Sequence, residues 1–307
     1  MGTPDLAAAS LRALLGAPDV VVTGVVSQPD RPKGRDLAMQ PSPVKELATQ
    51  NHLPVLQPLR AREPAFVEAL RDLAPDLIAV AAYGQILPAA VLQLPRLGCV
   101  NVHTSLLPKY RGASPIQQAI LNGDRMTGVT IMRMDAGLDT GDILSQEEVP
   151  IHLEDTAETL HDRLAQTGAA LLVRTIPDYA NGRIQPRPQP AEGASYAPRI
   201  RKEDGLIDWG LPAPAIGNRV RAFAPWPGAF THFTVHGAPH LLKIWKADVV
   251  GEKGEPGAVL RADKQGVIVG CGQAALNVRV LQLEGSRRMP AQEFLAGHPM
   301  KAGQKLG

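Results

Sequence analysis

Residues 98–142, GCVNVHTSLLPKYRGASPIQQAILNGDRMTGVTIMRMDAGLDTGD, decide how this chain is read. Gly98 to Val102 is a short apolar run that predicts a buried strand, and side chains two apart on a strand share one face. Asn101 and His103 therefore project together at its carboxyl end. Pro108, Gly112 and Pro115 break the chain into an ordered loop, and Pro115 to Asn122 predicts a helix that starts on proline. Gly128 to Met134 predicts a second strand, which runs into the turn-rich segment DAGLDTGD. That turn can bring Asp139 back beside His103. In open α/β sheets ligands bind at the carboxyl ends of the strands, so an amide, an imidazole and a carboxylate gathered there make a candidate catalytic site.

Working outward, the first half of the chain alternates strand and helix patterns, which predicts an α/β domain with a Rossmann-like, mostly parallel sheet and helices on both faces. Strands are expected at 20–28 and 76–82, and helices at 44–51, 62–73 and 88–94. A long helix over 156–181, capped by Asp155 or Thr156, closes the domain. At the start, Thr3 is expected to cap the first helix, with Pro4 at its first position. Residues 183–199 (RIQPRPQPAEGASYAPR) are Pro-rich and lack apolar periodicity, so they read as a linker. Beyond them lie a helix at 213–223, five short alternating strands between 230 and 283, and a helix at 291–296. Short antiparallel strands of this kind suggest a small OB-like β-barrel, a fold often used on nucleic acid. The expected division is a catalytic domain at 1–182, a linker at 183–202 and the barrel domain at 203–307.

At 307 residues, with 44% hydrophobic and 20% charged residues, the chain has the composition of a folded two-domain protein. No apolar run approaches the roughly 18 residues that suggest a membrane span, and no secretory leader pattern is present, so the cytoplasm is the expected setting. Cys99 and Cys271 fall in different expected domains and suggest neither a disulfide nor a metal cluster. The net charge of +2 conceals an asymmetry: residues 1–199 carry 18 Lys+Arg against 21 Asp+Glu, and residues 200–307 carry 14 against 9. A basic C-terminal half suits a phosphate-bearing partner.

The Asn-x-His-x-Ser-Leu-Leu-Pro segment at 101–108, with Leu-Asp-Thr-Gly at 138–141, resembles the folate-dependent formyltransferases. GTPDL at 2–6 and SQPDRPKGRDLAMQPSPVKELA at 27–48 narrow the resemblance to the methionyl-tRNA formyltransferases, whereas SLLPKYRG (105–112) and PWPGAF (225–230) would also suit sugar-nucleotide formyltransferases. The resemblance implies formyl transfer from 10-formyltetrahydrofolate to the amino group of methionine on initiator tRNA, with no metal. It maps the family's catalytic residues onto Asn101, His103 and Asp139. It also implies folate contacts from Ile86, Leu87 and Pro88 and from Ser105, Leu106, Leu107 and Pro108. The same C-terminal barrel follows from it, as does a loop over 31–41 that reaches the acceptor end of the tRNA through Arg31, Lys33 and Arg35. Finally, the family places a strand before the GTPDL turn, so the native protein is expected to start upstream of Met1.

The residues themselves suit that chemistry. Attack of an amine on a formyl carbon creates a tetrahedral carbon with a negative oxygen, and donors aimed at that oxygen carry much of the catalysis. Asn101 supplies an amide donor, and His103, with a free pKa near ~6.5, can donate and exchange protons. Asp139 can fix the imidazole's tautomer, stabilise its cation or help a water accept the proton lost by the amine. Taken singly, each has an ordinary reading: a strand-end histidine, a turn asparagine, an Asx turn. Basic side chains in a loop without helix or strand pattern, as at 31–41, commonly hold phosphates. Asp36, Leu37 and Ala38 weaken that contact and leave the burden on Arg35. His232, His236 and His240 fall four apart, but strands separated by Gly237 make a poor ligand triad. The missing G-x-G-x-x-G signature argues against a hydride-transfer enzyme. The rival readings are a sugar-nucleotide N-formyltransferase and a non-catalytic folate- or RNA-binding protein; a purine-pathway enzyme would leave the last hundred residues without a task. A monomer is the simpler expectation.

Overall fold

The computed structural model describes residues 1–33, 38–235 and 237–307, and in it the chain forms two compact units. The first comprises Met1–Pro115, Met126–Pro150 and His161–Ala197; the second comprises Ile116–Arg125, Ile151–Leu160 and Pro198–Gly307. In chain order the first elements are α1 (Asp5–Leu15), β1 (Val25–Val26), β2 (Arg31–Lys33), β3 (Ala38–Gln40), α2 (Pro43–Gln50), β4 (Val55–Leu56), α3 (Pro64–Asp72), β5 (Ile78–Val80) and α4 (Ala89–Leu92). They are followed by β6 (Cys99–His103), β7 (Arg111–Gly112), α5 (Pro115–Leu121), β8 (Met126–Arg133), β9 (Ile143–Pro150), α6 (Ala157–Ala180) and β10 (Tyr196–Ala197).

Proline punctuation sets several helix starts. Pro43 opens α2 behind a Ser42 cap whose hydroxyl accepts from Lys45 N–H at 3.1 Å, and Pro64 opens α3. Helix α1 departs from the expected capping. Pro4 takes the cap position with no side-chain bond, and Thr3 Oγ1 donates instead to Tyr83 O at 3.2 Å. The hydroxyl thus ties the turn to the sheet rather than to the helix it precedes.

Strands β5, β6, β8 and β9 form one sheet in that order, with β5 and β6 parallel and the β6–β8 and β8–β9 pairs antiparallel, so the sheet is mixed. β1 and β4 pair in parallel, and Met1–Gly2 supply the rung between that pair and β5: Gly2 N–H donates to Val26 O at 2.9 Å, and Ala81 N–H to Met1 O at 3.0 Å. Only Val25–Val26 of the expected strand at 20–28 pair as a strand; Val20 to Gly24 line an apolar cavity of about 480 Å³ with Leu77, Ile78 and Leu172. The 31–41 stretch, expected to lack regular structure, carries the short antiparallel pair β2–β3. Residues 34–37, Arg35 among them, lie outside the described residues.

The second unit adds α7 (Ala213–Ala222), β11 (Ala229–Val235), β12 (Ala238–Val250), β13 (Val259–Asp263), β14 (Gly266–Gly270), β15 (Ala275–Leu283), β16 (Met289–Pro290) and α8 (Ala291–Gly297). Alternating strand side chains place Phe233, Leu242, Ile244, Val269 and Leu276 in one buried cluster, which Phe294 of α8 joins. The antiparallel sheet runs β11-β12-β15-β14-β13, with β16 on β15. Among the described residues no ladder joins β11 directly to β13, and no closed barrel is found; the C-terminal residues bond to both edge strands, Val259 N–H donating to Gln304 O at 2.8 Å and Gly307 N–H to His232 O at 3.1 Å. No helix among the described residues is long and apolar enough to cross a membrane.

Candidate active site

Strand β6 delivers Asn101 and His103 to the same face by their two-residue spacing, and it is held by β5 on one side (Val80 opposite Asn101) and β8 on the other (Thr130 opposite His103). Both residues line a cleft of about 420 Å³ in the first unit, as does Asp139. His103 is buried, and its Nε2 lies 2.9 Å from Tyr110 O. A carbonyl can only accept, so that nitrogen carries the proton. His103 Nδ1 faces Asp139 Oδ2 at 3.7 Å. The same Oδ2 accepts Gly112 N–H at 2.8 Å. The imidazole's orientation is thus set by the Tyr110 backbone rather than by the carboxylate, which stands within Coulombic reach of the second nitrogen. As an imidazolium, His103 would direct one N–H at each oxygen.

The turn that returns Asp139 is held at several points. Asp139 adopts φ +52°, a left-handed conformation that few side-chain-bearing residues take. Asp135 braces the turn's start, its carboxylate accepting Gly137 N–H at 3.0 Å and Thr140 Oγ1 at 2.8 Å.

The remaining candidate residues divide between the cleft and its surroundings. Ile86 (90% exposed) and Leu87 (buried) both line the cleft, where Met132 and Met134 add further apolar wall. Pro88 sits at the start of α4, outside the lining. Ser105 is buried with its hydroxyl donating to Lys109 O at 2.6 Å, Leu107 packs with Met132 and Ile143, and Leu106 lies against Gly128. With Pro108, these three lie beside the cleft and not along it. Arg31 Nη2 reaches Gln28 Oε1 at 3.5 Å at the base of the β2–β3 pair, which Lys33 ends.

The sequence reading missed the segment 187–197. It is no free linker: Arg187 exchanges both backbone hydrogen bonds with Ile143, Ser195 Oγ accepts Tyr110 N–H at 2.9 Å, and β10 pairs in parallel with β7. Burial pushes the Cys99 thiol, on β6 itself, up to about 12, so it offers no thiolate at neutral pH. Among the described residues no group of three His, Cys, Asp or Glu side chains could hold a metal ion.

The cleft can therefore present an amide, a proton-carrying imidazole and a carboxylate to a reacting carbonyl beside an apolar slot. The chain matches a family model described as formyl transferase over residues 2–176 and one described as formyl transferase, C-terminal domain, over 199–299. It is 47% identical over 307 residues to a methionyl-tRNA formyltransferase of Geobacter sulfurreducens, covering all of this chain and 95% of that protein. Against the one of Magnetococcus marinus it is 49% identical, covering all of this chain and 97% of that protein. Among solved structures, an N-formyltransferase from Helicobacter canadensis, in complex with folinic acid and dTDP-3-aminofucose, superposes with a TM-score of 0.64 at 21% identity, covering 94% of this chain and 97% of that one. A methionyl-tRNA formyltransferase from Clostridium thermocellum superposes at 0.52 with 20% identity, covering 76% and 96%. At such identities the superpositions show a shared fold.

Proposed function

The chain belongs to the methionyl-tRNA formyltransferase family of formyl transferases, and on that premise we propose how its cleft works and what it takes. The protein transfers a formyl group from 10-formyltetrahydrofolate to the amino group of methionine esterified to initiator tRNA, for translation initiation. The amine nitrogen bonds to the formyl carbon while the folate nitrogen leaves, so the amine gives up a proton and the folate nitrogen gains one. Asn101 donates to the oxygen that becomes negative on the tetrahedral carbon. His103, oriented by Tyr110 O, supplies and recovers a proton, and Asp139 stabilises its cationic form. No covalent enzyme intermediate is needed, because the free amine is itself the nucleophile.

The folate donor fits the residues present. A flat heteroaromatic ring needs apolar walls and a backbone edge, and the cleft offers Ile86, Leu87 and Met132 with the 135–139 turn along its rim. Ser105 to Pro108 then act as the packed support of the reactive arm, and Pro88 ends the Ile86–Leu87 loop. The β2–β3 pair, with Arg31, Lys33 and Arg35, engages the acceptor end of the tRNA. In this reading, residues 1–182 are catalytic, 183–202 connect, and 203–307 form an OB-like domain whose basic surplus holds tRNA phosphates. The protein works as a cytoplasmic monomer.

The observation that carries the reading is the convergence of Asn101, His103 and Asp139 on one cleft in a chain similar along its whole length to methionyl-tRNA formyltransferases. Single-turnover transfer from 10-formyltetrahydrofolate to methionyl-tRNA, free methionine and an amino-sugar nucleotide tests it. Preference for methionyl-tRNA is expected. Preference for the sugar nucleotide would transfer the assignment to the rival class, and no transfer to any acceptor would leave a binding protein.

A further inference from the structure

We propose that Gln189, in the segment that reads as a linker, is a positioning residue: its carboxamide fastens the Asp139 turn to β7 and so sets where that carboxylate meets His103. The inference rests on the catalytic reading of the trio. Every hydrogen-bonding atom of the Gln189 side chain is used. Nε2 donates to Asp139 O and to Gly141 O, both at 2.8 Å, and Oε1 accepts from Arg111 Nε at 3.0 Å and Nη2 at 2.8 Å. Arg111 is followed by Gly112, whose N–H donates to Asp139 Oδ2. Arg111, Gln189, Asp139 and Gly112 therefore close a ring, with the turn attached to β7 through its backbone and through its carboxylate.

That ring decides the trio's geometry. His103 is fixed through Tyr110 O and Asp139 through Gly112 N–H, so both are registered on the same three residues, Tyr110 to Gly112. The tripeptide is anchored by Ser195 and β10. Asp139 also sits at φ +52°, a conformation that persists where surrounding contacts impose it. Without the two carbonyl bonds the turn can relax and carry the carboxylate away from its 3.7 Å approach to Nδ1. A displacement of about 1 Å at a reacting group can cost on the order of a hundredfold in rate.

Two substitutions separate this role from packing. Gln189→Met keeps length and volume without polar atoms. Gln189→Glu keeps an acceptor for Arg111 but offers the two carbonyls no donor. Measured in single turnover of the full-length protein, both variants are expected to lose about tenfold to a hundredfold in formyl transfer. KM for donor and tRNA should stay within about twofold, and the thermal midpoint within about 3 °C of the parent. In an Asp139→Ala background, adding Gln189→Met should cost nothing further, because the residue acts through that carboxylate. Wild-type transfer by Gln189→Glu, or a full multiplicative loss in the double variant, would overturn the proposal. Wild-type transfer by Asp139→Ala itself would overturn the catalytic reading and this inference with it.

Discussion

Replacing Thr130 by valine tests whether hydrogen bonding or apolar burial holds the loop behind His103. Thr130 is 0% exposed and stands opposite His103 in the β6–β8 ladder. Its hydroxyl donates to Ser105 O at 2.7 Å and accepts from Leu107 N–H at 3.1 Å and Gln146 Nε2 at 3.0 Å. Valine has the same shape and more apolar surface, so burial alone predicts no loss or a small gain. Bond by bond the outcome reverses. Leu107 N–H and Ser105 O lose a partner in a dry site, at about 1–3 kcal/mol per stranded group, while Gln146 keeps its 2.9 Å bond to Leu107 O. The expected loss is about 3 kcal/mol, a large part of a typical stability of ~5–15 kcal/mol. Urea titration should show a lower midpoint at unchanged slope, with faster amide exchange at Leu107. Thr130→Ser, which retains the hydroxyl, should cost about 1 kcal/mol, the worth of one buried methyl. A valine variant as stable as the parent would refute the reasoning.

Gly141→Ala places a Cβ 1.8 Å from Arg133 O, so the Asp139 turn must shift; turnover should fall about a hundredfold, and a variant with parental turnover would show that the turn tolerates displacement. Burial pushes the Cys99 and Cys271 thiols up to about 12 and about 11, so neither should react with iodoacetamide at pH 8 in the folded protein, and both should label fully in urea; native-state labelling would contradict their burial. Arg35→Ala should raise KM for tRNA about tenfold, with KM for the folate donor unaltered, as a lost phosphate contact requires; an unaltered KM for tRNA would remove Arg35 from that role.

Legibility in the sequence followed the kind of interaction involved. Strands β11 to β15 and helices α2, α3 and α7 announce themselves through apolar side chains at periods of 2 and 3.6, which is burial written into the sequence. Strand β9 carries its buried residues only at its ends (Ile143, Leu144, Val149), so ILSQEEVP offers no alternation to read. Val20 to Gly24 show the converse: their apolar side chains predict a strand, yet pairing depends on a backbone partner that composition does not encode. In the site, Asn101 and His103 are readable because two-residue spacing fixes their common face. Asp139 joins them through the turn chemistry of Gly137 and Gly141. The brace from Gln189 and Ser195 is invisible, since it consists of side-chain bonds to distant backbone in a Pro-rich stretch with no period. Closure of the C-terminal sheet depends on ladder geometry between β11 and β13, which short alternating strands do not specify.

The central claim is that Asn101, His103 and Asp139 perform the transfer rather than hold the cleft's shape. Rapid-quench single turnover with saturating 10-formyltetrahydrofolate and methionyl-tRNA measures this for Asn101→Ala, His103→Ala and Asp139→Asn. Each is predicted to lose at least about a hundredfold in the chemical step, with folate affinity and thermal midpoint close to the parent. A variant that transfers at the parental rate, or loses rate only in step with lost folate binding, would contradict the account.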